Sequence, residues 1–144
     1  CLEKAGNILE INMLMLAREI KNGDGSPYFT DARTGVSIDW NTDSYYSVPT
    51  CNEIDVILMR GLVPVFISCK NGSVGDDELY KLHTVAERFG GRYAKKVLVA
   101  SEIPKSQKSL EYFMRRAEDM NIAVINDVYM MSDEQIKNKL RALA

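Results

Sequence analysis

The sequence predicts an α/β domain in which a mixed β-sheet carries helices on both faces. Apolar residues recur at helical spacing in some segments and at strand spacing in others, so helices and strands alternate along the chain. A β-hairpin precedes the segments in which helices connect the strands. Because hairpin strands are antiparallel and helix-connected strands are parallel, the sheet should contain both arrangements.

The chain begins with a predicted helix at residues 2–21, where apolar residues lie three or four positions apart. Residues 22–35 contain three glycines, two aspartates, a serine and a proline and predict a loop. Residues 36–40 alternate weakly between apolar and polar side chains and predict a short strand. The first helix should therefore lead through a loop to the first strand.

The middle of the chain predicts a β-hairpin. Residues 53–59 and 63–70 are both rich in apolar and β-branched residues, and Arg60-Gly61 predicts the turn between them. Pro64 lies near the start of the second strand, where a proline is tolerated.

The rest of the chain alternates helices with short apolar strands. Asp76-Asp77-Glu78 begins a helix, where acidic side chains complement the helix dipole, and Gly90-Gly91 ends it. This alternation is typical of a parallel arrangement of strands. The remaining segments are strands at 97–100 and 122–125 and helices at 106–120 and 133–143.

Length and composition fit a single globular domain. The chain has 144 residues, of which 46% are apolar, enough for a hydrophobic core. It begins at Cys1 rather than methionine, so we expect residues 1–144 to be the carboxy-terminal domain of a longer protein. No segment has the pattern of a signal peptide, and no apolar stretch is long enough to span a membrane.

Charge and cysteine content argue against several kinds of site. Cys1, Cys51 and Cys69 form no CxxC pair and His83 is the single histidine, which argues against a disulfide scaffold and a structural zinc site. The reducing cytoplasm is the expected compartment. The net charge of −2 gives no general attraction to nucleic acids, so a groove or a metal ion would have to provide it.

Four polar residues of the predicted hairpin form a candidate site. Side chains alternate faces along a strand, so Glu53 and Asp55 share one face, and Ser68 and Lys70 share one on the partner strand. A two-residue loop at Arg60-Gly61 would place Glu53 opposite Ser68. A four-residue loop would place Asp55 opposite Ser68 and Glu53 opposite Lys70. Both registers put the four side chains on one surface, whereas an odd loop or a bulge would separate them.

Glu10 is a further unusual carboxylate. Between Ile8 and Ala17 the only polar residues are Glu10 and Asn12, which predicts a helix buried over most of its circumference. A buried carboxylate is unfavourable unless it is paired, hydrogen-bonded or bound to a cation. A metal ion near Asp55 would satisfy it.

These carboxylates and the lysine suit a hard cation such as Mg²⁺ or Mn²⁺, which prefers oxygen ligands. Such a site supports phosphodiester hydrolysis, because the cation polarises a phosphoryl oxygen and lowers the pKa of a bound water. The lysine would orient that water or offset charge in the transition state. In the alternative interpretation, Glu53 and Asp55 are exposed strand residues and Lys70 only pairs with one of them.

The same residues resemble those of a known group of enzymes. Glu10 on a first helix, then Asp55, then x-x-Lys70 on adjacent strands of an αβββαβ core resembles the PD-(D/E)xK superfamily of restriction-endonuclease-like nucleases. Four segments are similar, more specifically, to the nuclease domain of CARF-containing type III CRISPR ancillary effectors. They are Gly6-x-x-Leu9-Glu10, Asn52-Glu53-Ile54-Asp55-Val56, Phe66-Ile67-Ser68-Cys69-Lys70-Asn71-Gly72 and Glu87-Arg88-Phe89-Gly90-Gly91.

The resemblance implies a role for each site residue. Asp55 would be the central metal ligand, Glu10 a second acidic ligand and Lys70 the catalytic lysine, and the backbone carbonyl of Cys69 would also face the metal. It further implies a homodimer that cuts single-stranded RNA or DNA with Mn²⁺ or Mg²⁺ in antiviral defence. Such proteins are activated by a cyclic oligoadenylate that binds a CARF sensor domain, which this sequence does not contain.

Ser68 departs from the superfamily pattern, which places aspartate or glutamate at this position. Glu53, on the same face, would supply the missing carboxylate as a further metal ligand; otherwise activity would be weak or restricted to Mn²⁺. Ser68 therefore keeps an alternative open, in which a catalytically weak or inactive nuclease fold serves dimerisation or nucleic-acid binding. A nucleotide-binding domain is disfavoured because no glycine-rich loop joins a strand to a helix.

Other residues have both a functional and a structural interpretation. Glu78 either reaches the site or complements the dipole of its helix, and we expect the second. His83 is expected to pack rather than to catalyse. Trp40 and Tyr45-Tyr46 would stack on unpaired bases or line the core. Solvated surface is the expectation for Arg60, Lys95-Lys96 and Arg115-Arg116.

Overall fold

The computed structural model describes the backbone of residues 2–39 and 51–143 and the side chains of residues 8–37 and 53–143. The predicted alternation of helices and strands is confirmed. In chain order the elements are α1 (Leu2–Glu19), β1 (Asp31–Asp39), β2 (Cys51–Arg60), β3 (Val63–Lys70), α2 (Asp76–Phe89), β4 (Lys95–Ala100), α3 (Gln107–Asp119), β5 (Ile122–Ile125), a 3-10 helix (Val128–Met130) and α4 (Asp133–Leu143).

The strands form one mixed sheet in the order β1-β2-β3-β4-β5. β2 is antiparallel to both β1 and β3, while β4 is parallel to β3 and β5 is parallel to β4. β3, β4 and β5 are parallel because α2 and α3 each carry the chain back to the end of the sheet at which the preceding strand began. The carboxyl ends of β3, β4 and β5 therefore lie together, and we call this side of the sheet the carboxyl edge.

Two hydrophobic cores lie on opposite faces of the sheet. The first includes Met13 and Leu16 of α1 together with Ile136 and Leu140 of α4. The second includes buried residues of α2 and α3, among them Leu79 and Phe113. Because the strands are packed between two helical layers, they form a rigid support for side chains at the carboxyl edge. This arrangement is the restriction-endonuclease-like α/β core expected from the sequence.

The boundaries of two elements differ from the prediction. β1 begins at Asp31 rather than at residue 36, because Asp31 to Thr34 pair with Met59 to Val56 of β2. Pairing with a neighbouring strand thus forms a strand where the local pattern predicts a loop. The hairpin turn consists of Gly61-Leu62 rather than Arg60-Gly61, since Arg60 pairs with Val63. Gly61 has a φ of +60°, which suits a glycine at the first position of a tight hairpin turn.

The prediction that α1 is buried over most of its circumference is wrong. Met13, Leu16 and Ala17 are buried against the sheet, but the opposite side of the helix is open. Ile8 is 68% exposed and Met15 is 56% exposed. The helix packs on the sheet along one stripe, and its second apolar stripe is largely exposed.

Two further observations complete the description of the fold. No helix in the described part of the chain is long and apolar enough to cross a membrane. Trp40, Tyr45 and Tyr46, which we considered for base stacking, lie outside the described residues.

Candidate active site

The hairpin register brings the four polar strand residues together. Pairing runs from Arg60 with Val63 to Val56 with Ile67. The pairing ends at Val56; continued past it, the same offset would put Asp55 opposite Ser68 and Glu53 opposite Lys70, which is the second of the two even registers. Glu53, Asp55, Ser68 and Lys70 all line one pocket of about 270 Å³ between the sheet and α2. They do not lie on opposite sides of the sheet.

Strand pairing is interrupted at Asp55. The pairing of β1 with β2 skips Gly35 and Asp55, and the pairing of β2 with β3 stops at Val56. The backbone N–H of Cys69 instead donates a hydrogen bond to Oδ2 of Asp55 at 2.6 Å. A side-chain carboxylate has thus taken the bond of this amide, which fixes the orientation of Asp55 on the rigid strand.

Gly35 lies on the edge strand opposite Asp55 and has a φ of +61°. A residue with a side chain rarely adopts this left-handed conformation. A Cβ atom here would lie 4.0 Å from Oε1 of Glu53, so there is space for one and the constraint is the backbone itself. The glycine permits the local bend of β1 beside the site.

The electrostatics of Glu10 and Asp55 indicate neighbouring carboxylates. Burial raises the pKa of Asp55, with Glu53 and Glu78 adding to the rise, while the Cys69 N–H and Lys70 oppose it. Burial also raises the pKa of Glu10, and so do the charges of Asp55 and Glu53. Both carboxyl groups are therefore held in surroundings that disfavour two negative charges, and a cation would relieve this.

Lys70 forms an ion pair with Glu78 in the first turn of α2, with 3.1 Å between Nζ and Oε2. Glu78 also lies 3.7 Å from the Lys81 amine, and both residues line the pocket. The expectation that Glu78 serves only the helix dipole is wrong. Its position soon after Lys70 was the available signal, because the start of α2 returns directly to the carboxyl edge.

The described donor atoms of the site meet the needs of a divalent cation only in part. Among the described residues, no group of three or more histidine, cysteine, aspartate or glutamate side chains is assembled closely enough to hold a metal by itself. Mg²⁺ is commonly held by only one or two carboxylates and keeps several waters. Glu10 and Asp55 are two carboxylates, and the charge of Asp55 contributes to the raised pKa of Glu10.

Ser68 and Cys69 contribute differently. Ser68 lines the pocket with a hydroxyl, which is a weaker ligand for a hard cation than a carboxylate. The Cys69 side chain is buried, as predicted, and burial raises the pKa of its thiol. The thiol is therefore an uncharged core group, while the backbone N–H of Cys69 donates to Asp55.

Of the residues expected on the solvated surface, Lys96 departs from the expectation, whereas Arg60, Lys95, Arg115 and Arg116 are exposed, as expected. Lys96 is buried, with Nζ 3.0 Å from Nδ1 of His83 and 3.5 Å from Oε1 of Glu87. The Arg60 guanidinium lies 3.7 Å from the centre of the Tyr28 ring. Arg116 forms an ion pair with Asp76. His83 is thus packed, as expected, but against a buried amine.

The sequence of this chain matches that of a known protein family. Residues 4–143 match the family described as "Card1-like, endonuclease domain". The chain belongs to the Card1-like endonuclease domain family. The family is one of endonucleases, and its match covers both the hairpin and the helices that position the pocket. A search of curated protein sequences gives no match.

Solved structures share the fold of this Card1-like domain. VC1899 from Vibrio cholerae is 27% identical with a TM-score of 0.73, and the match covers 95% of this chain and 33% of VC1899. Can2 from Sulfobacillus thermosulfidooxidans, solved in complex with cyclic tetra-adenylate, is 19% identical with a TM-score of 0.68; the match covers 96% of this chain and 35% of Can2.

A third structure, the protein of unknown function AF1548, is 15% identical with a TM-score of 0.52. That match covers 99% of this chain and 67% of AF1548. The present chain thus spans about a third of the length of VC1899 and of Can2. At identities below 25%, the likeness to Can2 and AF1548 concerns the fold.

Proposed function

We propose that this Card1-like domain hydrolyses phosphodiester bonds of single-stranded RNA or DNA with the help of Mn²⁺ or Mg²⁺. The proposal includes a place in a larger, homodimeric CRISPR-associated effector whose separate sensor domain binds a cyclic oligoadenylate. The family match supports nuclease activity. The complex of Can2 with cyclic tetra-adenylate, together with the fold that Can2 shares with this chain, supports the regulatory part.

The observation that carries the proposal is that Asp55 and Lys70 line one pocket, while the charges of both reach Glu10 of α1. Glu10 comes from α1, Asp55 from β2 and Lys70 from β3, and the charges of Asp55 and Lys70 both act on Glu10. Glu10 and Asp55 would hold the cation, with the backbone carbonyl of Cys69 and the carboxylate of Glu53 as further candidate ligands. When bound, the cation supplies a lowered water pKa and polarises the phosphoryl group.

The chain's own groups would orient the reacting atoms. The Cys69 N–H holds Asp55 in one rotamer, so that its free oxygen stays directed at the site. Lys70 offsets negative charge that develops on the phosphoryl oxygens, and Glu78 fixes its amine. Ser68 lines the same pocket as Asp55 and Lys70, and its hydroxyl can donate or accept a hydrogen bond.

The test is a cleavage assay with labelled single-stranded RNA and DNA in Mn²⁺, using Asp55→Asn and Lys70→Ala. Each substitution should reduce the cleavage rate at least about 100-fold, since removal of one transition-state stabilising group typically costs this much. Asn retains an oxygen that can accept from Cys69, so Asp55→Asn should fold normally. Cleavage that survives both substitutions would show that another site, or a contaminant, is responsible.

An inactive domain that binds nucleic acid or dimerises is the second candidate, and Ser68 favours it because the superfamily's usual acid is missing there. The same experiment separates the two. A folded wild-type chain that binds labelled single strands but does not cleave them in Mn²⁺ would support the second candidate and overturn the first.

A further inference from the structure

An apolar groove of about 460 Å³ lies beside the candidate site, on the α1 side of the carboxyl edge. Its floor is the exposed stripe of α1, which includes Ile8, Ile11 and Met15. Tyr129, in the 3-10 helix after β5, forms part of the wall and is 63% exposed. A groove of this size can hold a ligand as large as a nucleoside.

The groove and the pocket beside Lys70 lie at the same end of the sheet, the groove against α1 and the pocket against α2. Leu9 and Ile11 line the groove and flank Glu10 in the sequence, and Asn71, which also lines it, directly follows Lys70. The backbone N–H of Ser101, a further lining residue, donates to the carbonyl of Lys70 at 3.0 Å. A ligand that occupied the pocket beside Lys70 could therefore extend into the groove without leaving the carboxyl edge.

The polar groups of the groove are neutral and partly uncommitted. Asn12 makes no side-chain hydrogen bond to another described residue, and the Asn71 amide uses only its oxygen, which accepts from the Ser101 hydroxyl at 2.6 Å. Side-chain amides are the groups that pair with the edges of adenine and other bases. An aromatic ring and aliphatic side chains suit the faces of a base.

The pocket beside Lys70 and the apolar groove differ in charge, as the phosphate and the base of a nucleotide do. The pocket beside Lys70 is lined by charged side chains, including Asp55, Lys70 and Glu78. The described side chains that line the groove carry no charge. A phosphate with a cation suits the first cavity and an uncharged base suits the second.

We propose that this groove is a subsite for one unpaired base of a single-stranded nucleic acid, next to the phosphate that is cleaved. The inference rests on the proposed function and extends it, because a base held in this groove must be free of its complementary strand. Tyr129 stacks on the base, and Asn12 and Asn71 contact its edge.

The experiment measures binding separately from cleavage, by fluorescence anisotropy of a labelled single-stranded oligonucleotide with Ca²⁺ in place of Mn²⁺. Tyr129→Ala should weaken binding about tenfold, within the range found for loss of one stacked base. The matched control is Tyr93→Ala, because Tyr93 is 72% exposed and precedes β4 at the other end of the sheet. It should change binding less than about twofold. Circular dichroism checks that both variants fold.

A series of oligonucleotides, each with one abasic position, sharpens the test. In the wild type, one abasic position should weaken binding by about the same factor as Tyr129→Ala, and in that variant the position should no longer matter. No measurable binding, no sensitive position, or equal sensitivity in the variant would overturn the subsite. An altered sedimentation coefficient of Tyr129→Ala with unchanged binding would also overturn it and would assign the groove to a protein interface. A wild type that satisfies the series but never cleaves in Mn²⁺ would overturn only the proposed function.

Discussion

Two lysines on neighbouring parallel strands, Lys70 and Lys96, both pair with glutamates of α2, and they differ in almost every other respect. Lys70 lies at the end of β3 and pairs with Glu78 at the start of the helix. Lys96 lies near the start of β4 and pairs with Glu87 near the end of the helix. Lys96 has the more buried side chain, 5% exposed against 30% for Lys70.

The difference is in the surroundings. The carboxylates of Asp55 and Glu10 are close enough to the Lys70 amine to feel its charge, and a pocket opens beside it. Lys96 also lines a cavity, of about 760 Å³, but its side chain is buried and its amine contacts His83 and Glu87. Burial of one charged side chain therefore does not indicate a catalytic site. A catalytic site is better indicated by several carboxylates that raise one another's pKa beside an open pocket.

The largest effect on the stability of the fold is expected from substitution of Lys96. Lys96→Ala should lower the free energy of unfolding by about 2 kcal/mol, since a buried chain is lost and its partners lose the cation, while the partial exposure of Glu87 limits the damage. Lys96→Met, which keeps the packing, should lose less than half of that. Urea unfolding followed by circular dichroism measures both values.

Lys70→Met provides the contrast. Its free energy of unfolding should lie within about 1 kcal/mol of the wild-type value, because the ion pair that it loses is partly exposed. The variant should nevertheless cleave no substrate. If Lys70→Met were the more destabilising substitution, or if Lys96→Met abolished cleavage, the proposed division between a structural and a catalytic lysine would be wrong.

A smaller effect is expected at the glutamates that position these lysines. Glu78→Gln should lower kcat about tenfold with less change in KM, because the Lys70 amine loses the charge that fixes it. Glu87→Gln is the matched control at the other end of the same helix, and its kcat should stay within about twofold of the wild type. Equal losses of kcat in the two variants would indicate a general effect on α2 instead.

The smallest effect concerns Glu10 and depends on pH. The pKa of Glu10 is raised above its ordinary value of 4.5 in the folded chain, so its stability contribution is fully present below that value and is lost as the pH rises through the folded pKa. Glu10→Gln cannot ionise. Without divalent cations it should therefore raise the melting temperature at pH 7 and leave it nearly unchanged near pH 4.

Mn²⁺ provides the control for Glu10, because a bound cation should stabilise the wild type and remove the advantage of Glu10→Gln. Glu87→Gln should behave in the opposite way at pH 7, since it loses a favourable contact with Lys96. A lower melting temperature for Glu10→Gln at pH 7 without metal would contradict the proposed crowding of carboxylates.

Periodicity alone predicted most of the architecture, because apolar residues recur every three or four positions in helices and every two positions in strands. It predicted neither the start of β1 nor the exposed side of α1. Asp31 to Thr34 are strand only because β2 supplies their partners. The stripe with Ile8 and Met15 is as apolar as the buried stripe, and sequence does not say which one meets the sheet.

The sequence by itself determined the residues of the candidate site: Glu10 on the first helix, and the even spacing of Glu53 with Asp55 and of Ser68 with Lys70 on the hairpin. Tertiary structure decided the register, the hydrogen bond from Cys69 to Asp55, the arrival of Glu78 beside Lys70, and the burial of Lys96. The physical reason is that alternation along a strand is a local property of the backbone. The distance between charges on different elements depends instead on how the helices pack against the sheet.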